Sequence, residues 1–141
     1  MLSFDTSVSR TILIHVAPGE DLLRELERAA QVHGVRNGVF VSGAGSLSRY
    51  HYHVVSSTEL PPENAFVERE GAVDILAITG FVLGGRVHAH LTIANDLMAM
   101  GGHLEPGCRV LTFAMVALAE TRGADMSDWD RVTGRDIRRL R

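Results

Sequence analysis

The segment RVHAHLTIA, residues 86–94, is followed by the turn-forming pair Asn95-Asp96 and then by MGGHL at residues 100–104. Apolar and polar residues alternate along residues 86–94, so a strand there would turn one side toward a core and the other side away from it. His88 and His90 lie together on the polar side. Asn and Asp tolerate left-handed backbone conformations, which favours a tight turn after the strand. The sequence therefore predicts a β-hairpin with both histidines on its polar face.

A two-residue turn at this position would pair His88 with His103 and His90 with Gly101, whose missing side chain leaves space above His90. Directly paired strand residues point to the same face, close enough to share a ligand. Three imidazoles on one patch are the ligand set of a catalytic zinc site, with a fourth position free for water or substrate. Histidines on half-exposed strands are also common as plain solvent-facing residues, and the pattern leaves both interpretations open.

Two charged residues beside the histidines are candidates for chemistry. Arg86 precedes His88 by two positions on the same face and could hold an anionic substrate group, or be an exposed strand arginine. Glu105, just past His103, is the nearest candidate general base, or only a residue of a Glu-Pro-Gly turn. Neither residue defines a reaction class.

The rest of the chain predicts an α+β fold with a mostly antiparallel sheet flanked by one or two helices. A helix is predicted from about Asp21 to His33, with Gly34 as its C-terminal cap. Gly84-Gly85 indicates a hairpin that leads into the histidine strand. We expect one domain over residues 1–141, with its core at about 10–120 and an arginine-rich tail at 121–141. The other strand-like segments are residues 11–16, 39–41, 50–55, 66–67, 72–83 and 109–118.

The glycine-rich segment SGAGS at residues 42–46 invites comparison with dinucleotide-binding loops. The third glycine of that motif is absent and no helix follows, so a tight bend or close strand packing explains the glycines better. His51 and His53 share a face in the alternating segment that follows. Because no third ligand lies at a suitable spacing, we interpret them as solvent-facing residues that could line a pocket.

Composition narrows the class of protein. The chain is 45% hydrophobic with a mean hydropathy of +0.08, as globular domains are, and no apolar run reaches membrane-spanning length. No secretory signal is visible at the N-terminus, so a cytoplasmic location is expected. The lone Cys108 predicts a buried structural thiol.

Charge argues against a nucleic-acid partner. The net charge is −3, and all fourteen basic residues are arginines. A protein that neutralises many phosphates is ordinarily basic. Aspartates alternate with the arginines near the C-terminus, which favours a solvated tail or a surface helix there. The five clustered arginines are Arg131, Arg135, Arg138, Arg139 and Arg141.

Taken together, these motifs resemble the PPC domain, the plants-and-prokaryotes conserved domain, from about Arg10 to Leu140. The resemblance is carried by PGEDL at 18–22, VSGAGSL at 41–47, DILAITG at 74–80, HAH at 88–90 and GGHL at 101–104. It implies an antiparallel sheet flanked by helices, a homotrimer and, in prokaryotic members, a metal taken to be zinc on three histidines. Those positions match His88, His90 and His103.

Two departures from the family pattern bear on function. The turn between the second and third histidines lacks the Asp/Gly-rich sequence common in the family, and no AT-hook with an Arg-Gly-Arg-Pro core occurs. Three functions follow as hypotheses: a small trimeric zinc protein whose open site takes a small molecule, such as an anion; a DNA-binding or regulatory module; and a structural trimer with a non-catalytic metal. We favour the first.

Overall fold

The computed structural model of the chain describes residues 2–132, and β-strands dominate them. The α+β fold with an antiparallel sheet is confirmed, with one helix among the described residues. In chain order, the elements are β1 (Ser7–Val16), α1 (Leu22–Val32), β2 (Asn37–Val55), β3 (Asn64–Leu83), β4 (Arg86–Ala94), β5 (Ala99–Leu104) and β6 (Arg109–Arg122).

The six strands form one sheet in the order β1-β6-β2-β3-β4-β5, and every pairing is antiparallel. The sheet curls so far that β5 also pairs with β2, through Tyr52 with Leu104 and His53 with His103. Strands β2 to β5 therefore close on one another. This closure brings together residues that lie about fifty positions apart in sequence, and it builds the surface on which the histidines lie.

Strands β2 and β3 are longer than the sequence predicts. Strand β2 continues straight through the glycine-rich segment, so the predicted tight bend is wrong. Irregular pairing with β6, between Phe40 and Ser42 and again between Gly45 and Leu47, accommodates the extra residues as bulges. The predicted close packing is present, because a Cβ on Gly45 would collide with the carbonyl oxygen of Phe113. Strand β3 likewise joins two segments that the sequence separated.

Helix α1 covers one face of the sheet and confirms the predicted helix. Asp21 caps its N-terminus, where the carboxylate accepts a hydrogen bond from the backbone N–H of Arg24 at 3.1 Å. The second oxygen of Asp21 accepts from the N–H of Gly107 at 2.6 Å, which ties the helix start to the turn before β6. The buried side of the helix consists of Leu22, Leu23, Leu26 and Ala30.

Cys108 belongs to the same core and is fully buried, as predicted. Its thiol accepts from the backbone N–H of His51 and donates to the carbonyl of that residue, both at 3.2 Å. Burial raises the pKa of this thiol to about 12. A thiol held in this way is a packing group and a poor nucleophile.

The described residues after β6, 123–132, are mostly exposed and contact the sheet at Met126. Met126 is only 6% exposed, and its N–H donates to the side-chain oxygen of Asn37 at 3.2 Å. Of the five clustered arginines, Arg131 lies within the described residues and pairs with Asp128, and the other four lie outside them. Within residues 2–132, no helix has the length and apolar character needed to cross a membrane.

Candidate metal centre

The turn between β4 and β5 has four residues rather than two, which corrects the predicted register. The side-chain oxygen of Asn95 accepts from the N–H groups of Leu97 and Met98, at 2.9 and 3.0 Å, and so stabilises the longer turn. His103 consequently pairs with His90, not with His88. The register differs by two positions, and because side chains alternate with a period of two, His103 keeps its predicted face.

The three predicted ligands converge on that face. The ring centroids of His88 and His103 are 4.7 Å apart, those of His90 and His103 are 5.3 Å apart, and those of His88 and His90 are 5.5 Å apart. Two strands supply the three rings because β4 and β5 are direct neighbours in the sheet. The structure therefore brings together all three residues that the sequence singled out.

The two glycines before His103 have a different role from the predicted one. Gly101 pairs with Thr92 and does not lie above His90. A Cβ at Gly101 would collide with the carbonyl oxygen of Leu91, and a Cβ at Gly102 would collide with that of His53. Both glycines thus allow β5 to fit tightly between β4 and β2, and this fit positions His103.

A fourth histidine joins the cluster, and the sequence did not identify it. His53 pairs directly with His103 across β2 and β5, and their ring centroids are 4.6 Å apart. The side chain of His53 is only 17% exposed, so its interpretation as a solvent-facing residue is wrong. His51, on the same strand, lies nearby with its Nδ1 2.7 Å from the carbonyl oxygen of Pro106.

Glu105 lies inside the cluster and is more than a turn residue. Its Oε1 is 2.6 Å from Nδ1 of His53 and 3.4 Å from Nδ1 of His103. The second contact lacks hydrogen-bond geometry, which leaves Nδ1 of His103 buried without a partner. Donor atoms of His53, His103 and Glu105 all lie within 4.8 Å of one another, close enough to share one ion. A buried nitrogen without a partner fits a site that a cation completes.

Asp130 supports the cluster from the other side. Its two carboxylate oxygens accept from the two terminal nitrogens of Arg86, each at 2.9 Å, and its Oδ2 is 3.0 Å from Nδ1 of His88. These hydrogen bonds, those of Arg86 above all, hold the pKa of Asp130 well below its usual range. Arg86 is therefore engaged with Asp130 instead of standing free for a substrate anion, and it holds the carboxylate that orients His88.

The surroundings of His90 and His103 favour the neutral form of their imidazole rings. Burial lowers the pKa of His103, and the neighbouring His88 lowers it further. Partial burial also lowers the pKa of His90, and the neighbouring His88 lowers it further. His90 is nevertheless the most exposed of the three residues. Neutral imidazole is the form that binds metal ions, so the lowered pKa values of His90 and His103 favour cation binding.

A model of the Plants and Prokaryotes Conserved (PCC) domain matches residues 4–122. The chain belongs to this family. The match confirms the family resemblance that the sequence motifs indicate. PCC and PPC are two abbreviations of the same domain name. The match ends at the last residue of β6, and Asp130 follows the matched residues.

Solved structures share this fold, and one of them is a PPC protein. The chain superposes on a PPC protein from Pyrococcus horikoshii with a TM-score of 0.75 and 25% identity, covering 89% of this chain and 87% of that one. A metal-containing protein from Archaeoglobus fulgidus gives a TM-score of 0.76 at 20% identity and covers 89% of both chains. Other neighbours with this fold are named as candidate DNA-binding proteins.

The curated relatives are much longer proteins. A bifunctional protein GlmU from Synechococcus sp. is 35% identical over 117 residues, which is 82% of this chain but only 18% of that protein. The chain thus spans about a sixth of the length of the curated relatives that it matches.

Proposed function

We propose that His88, His90 and His103 hold one divalent transition metal ion, zinc, and leave one coordination position open to a small molecule. The observation that carries the proposal is the convergence of three imidazole rings, with centroids 4.7 to 5.5 Å apart, on the polar face of β4 and β5. Three histidines with one open position form the ligand set of catalytic zinc sites.

The carboxylates behind the rings support this proposal. Histidines that bind metals usually donate their other ring N–H to a carboxylate, which fixes the ring and makes it a better ligand. Asp130 stands at Nδ1 of His88, and Glu105 stands beside Nδ1 of His103.

A bound zinc ion would act as a Lewis acid, polarising an oxygen donor or acidifying a bound water. The chain itself would then supply orientation and a proton acceptor. Arg86 holds Asp130, and Asp130 in turn fixes the His88 ring. Glu105, the half-buried carboxylate nearest to His103, is the proposed general base, with His53 as its hydrogen-bond partner at 2.6 Å.

A second set of donors within the same cluster is the structural alternative. If His53 and Glu105 joined His103 around the ion, the metal would link β2 to β5 and would only fix the strands. The two arrangements share His103 but differ in their need for His88 and His90. Loss of metal in a His88→Ala variant therefore favours the open site.

Metal content tests the proposal. Protein purified without chelator should carry about one zinc ion per chain, and the His88→Ala and His103→Ala variants should lose it. The His33→Ala variant is the matched control, because His33 is an exposed histidine at the end of α1. Wild-type protein without metal, or full occupancy in the His88→Ala variant, would contradict the open three-histidine site.

We also propose that the active form is a homotrimer assembled through the face of the sheet opposite α1. Large apolar side chains on β1, β2 and β6 lie open there, and an exposed apolar surface of this extent is typical of a subunit interface. The exposed side chains, between 39% and 83% accessible, are Leu13, Val41, Leu111, Phe113 and Met115.

Sedimentation equilibrium tests the trimer. The wild-type mass should be three times that of the 15.4 kDa chain, and Met115→Arg should reduce it toward one chain by placing a charge in the interface. Leu97→Arg is the matched control, since Leu97 is 80% exposed in the turn after β4. A wild-type monomer, or a Met115→Arg trimer, would contradict the proposed interface.

Duplex DNA binding is the alternative that the sequence raised. The neighbours named as candidate DNA-binding proteins share the fold with this chain at 15% and 21% identity, which supports the fold alone. The net charge of −3 opposes a phosphate-neutralising surface. Binding to duplex DNA that weakens steeply as salt rises would favour this alternative over the small-molecule site.

A further inference from the structure

A cavity of about 360 Å³ lies directly beside His88 and His90. One wall is the end of the β3–β4 hairpin, and the other wall is the segment at residues 124–132 that follows β6. Apart from the two histidines, the lining consists of Thr79, Gly80, Phe81, Leu83, Met126, Trp129 and Asp130. Most of this surface is apolar, in contrast to the polar cluster at its edge.

The second wall is firmly attached to the sheet. Arg86 anchors it through both oxygens of Asp130 and through the carbonyl of Ser127, at 3.4 Å. The ring of Trp129 stacks on Phe4, with centroids 5.9 Å apart. At the β3–β4 turn the segment lies so close that a Cβ on Gly84 would collide with the Ser127 side chain. These contacts hold Trp129 in place at the cavity.

The family match ends at Arg122, and this wall follows the matched residues in the chain. This wall encloses the space in front of His88 and His90. Without residues 124–132, His88 and His90 would border an open sheet surface. With them, the histidines form the polar end of an apolar pocket, and pockets of this volume lie at the small end of the range for small-molecule sites.

We propose that this pocket binds a small carboxylic acid with an aromatic or branched apolar body, and that residues 124–132 set this specificity. The inference rests on the proposed metal function. Three neutral histidines leave the charge of a divalent ion unbalanced, which favours an anionic oxygen donor over an amine. Asp130 does not repel such a ligand, because Arg86 neutralises its charge. The apolar body would lie against Trp129 and Phe81, where burial of its surface contributes affinity.

Fluorescence offers a direct test, because Trp129 is the only tryptophan in the chain. Zinc-loaded protein would be titrated with phenylacetate and, separately, with acetate, which shares the carboxylate but lacks the ring. We expect phenylacetate to bind at least about 10-fold more tightly and to change the Trp129 emission, because its ring removes apolar surface from water.

Two variants locate the binding. Phe81→Ala keeps the fluorophore and should reduce the preference for phenylacetate over acetate to less than about 3-fold, since one apolar wall is lost. Trp129→Ala, followed by calorimetry, should do the same. Leu97→Ala removes an exposed apolar side chain that does not line the pocket and should leave the preference unchanged.

Equal affinities for the two acids would overturn the inference, as would a preference that survives both Phe81→Ala and Trp129→Ala. Zinc content is measured on the same samples, so the two proposals fail separately. Zinc-loaded protein without the preference overturns the carboxylic acid pocket alone. Protein that takes up no zinc overturns the proposed function, and the pocket proposal fails with it.

Discussion

The two faces of strand β4 differ in how they are built. On the inner face, Val87, Ala89, Leu91 and Ile93 are 8%, 1%, 2% and 0% exposed and pack in the core beneath α1. On the outer face, His88 and His90 meet side chains from β5 and from the segment after β6. The inner face depends on the apolar character of its residues, whereas the outer face depends on specific polar partners from distant parts of the chain.

This difference indicates which substitutions should change the stability of the fold and which should change metal binding. A core methyl group contributes wherever it is buried, because the hydrophobic effect has no direction. An imidazole contributes to a metal site only if its partners are in the right places. Stability should therefore follow the inner face, and metal affinity the outer face.

The largest expected effect is on the inner face. Ile93→Ala should lower the free energy of unfolding by about 2–5 kcal/mol, because Ile93 is fully buried and truncation leaves a cavity. Thr92→Ala, its exposed neighbour on the outer face, should change it by less than about 0.5 kcal/mol. Urea denaturation of both variants measures the difference. Equal losses would break the distinction between the two faces.

A smaller effect is expected where the outer face meets the C-terminal segment. Asp130→Asn should weaken zinc binding about 10- to 100-fold while the protein stays folded, because the carboxylate at Nδ1 of His88 loses its charge. Asp128→Asn is the matched control. Among the ion pairs of the described residues, Asp128 takes part in one, with the exposed Arg131. Competition with a chromophoric chelator measures the affinity. Equal affinities in both variants would remove Asp130 from the proposed site.

The mildest test uses Cys108 to examine how tightly the inner face is closed. Burial raises the pKa of this thiol to about 12 from an ordinary value of about 9, so the folded protein holds the proton more strongly than the unfolded chain does. The contribution of the protonated Cys108 thiol to the free energy of unfolding is fully present below about pH 9 and is lost as the pH rises toward 12. At pH 8 a disulfide reagent should react slowly with native protein and quickly in urea. Rapid reaction of the native protein would show an open core.

The sequence predicted the local features of both faces. Alternation along residues 86–94 assigned each side chain to its face, and the helix at Leu22–Val32 followed from its capping residue and its apolar stripe. The three candidate ligands also came from local spacing, and the structure brings them together. Even with the wrong turn length, His103 kept its face because the register differed by an even number of residues.

Long-range closure explains what the sequence could not show. His53 reaches the cluster only because β5 pairs with β2, and nothing near His53 in the sequence indicates that pairing. Asp130 lies 42 residues after His88 in a segment whose alternating charges suggested solvent exposure. The longer turn depends on hydrogen bonds to the side chain of Asn95, a residue equally compatible with the shorter turn.

The most direct test of the central claim is a crystal structure of the purified protein, with anomalous scattering recorded at the zinc absorption edge. We expect one anomalous peak per chain within bonding distance of His88, His90 and His103, with a water or small ligand in the remaining position. Three rings surrounded by solvent with no peak between them would contradict the claim. So would an ion held by His53, His103 and Glu105 and not by His88 and His90.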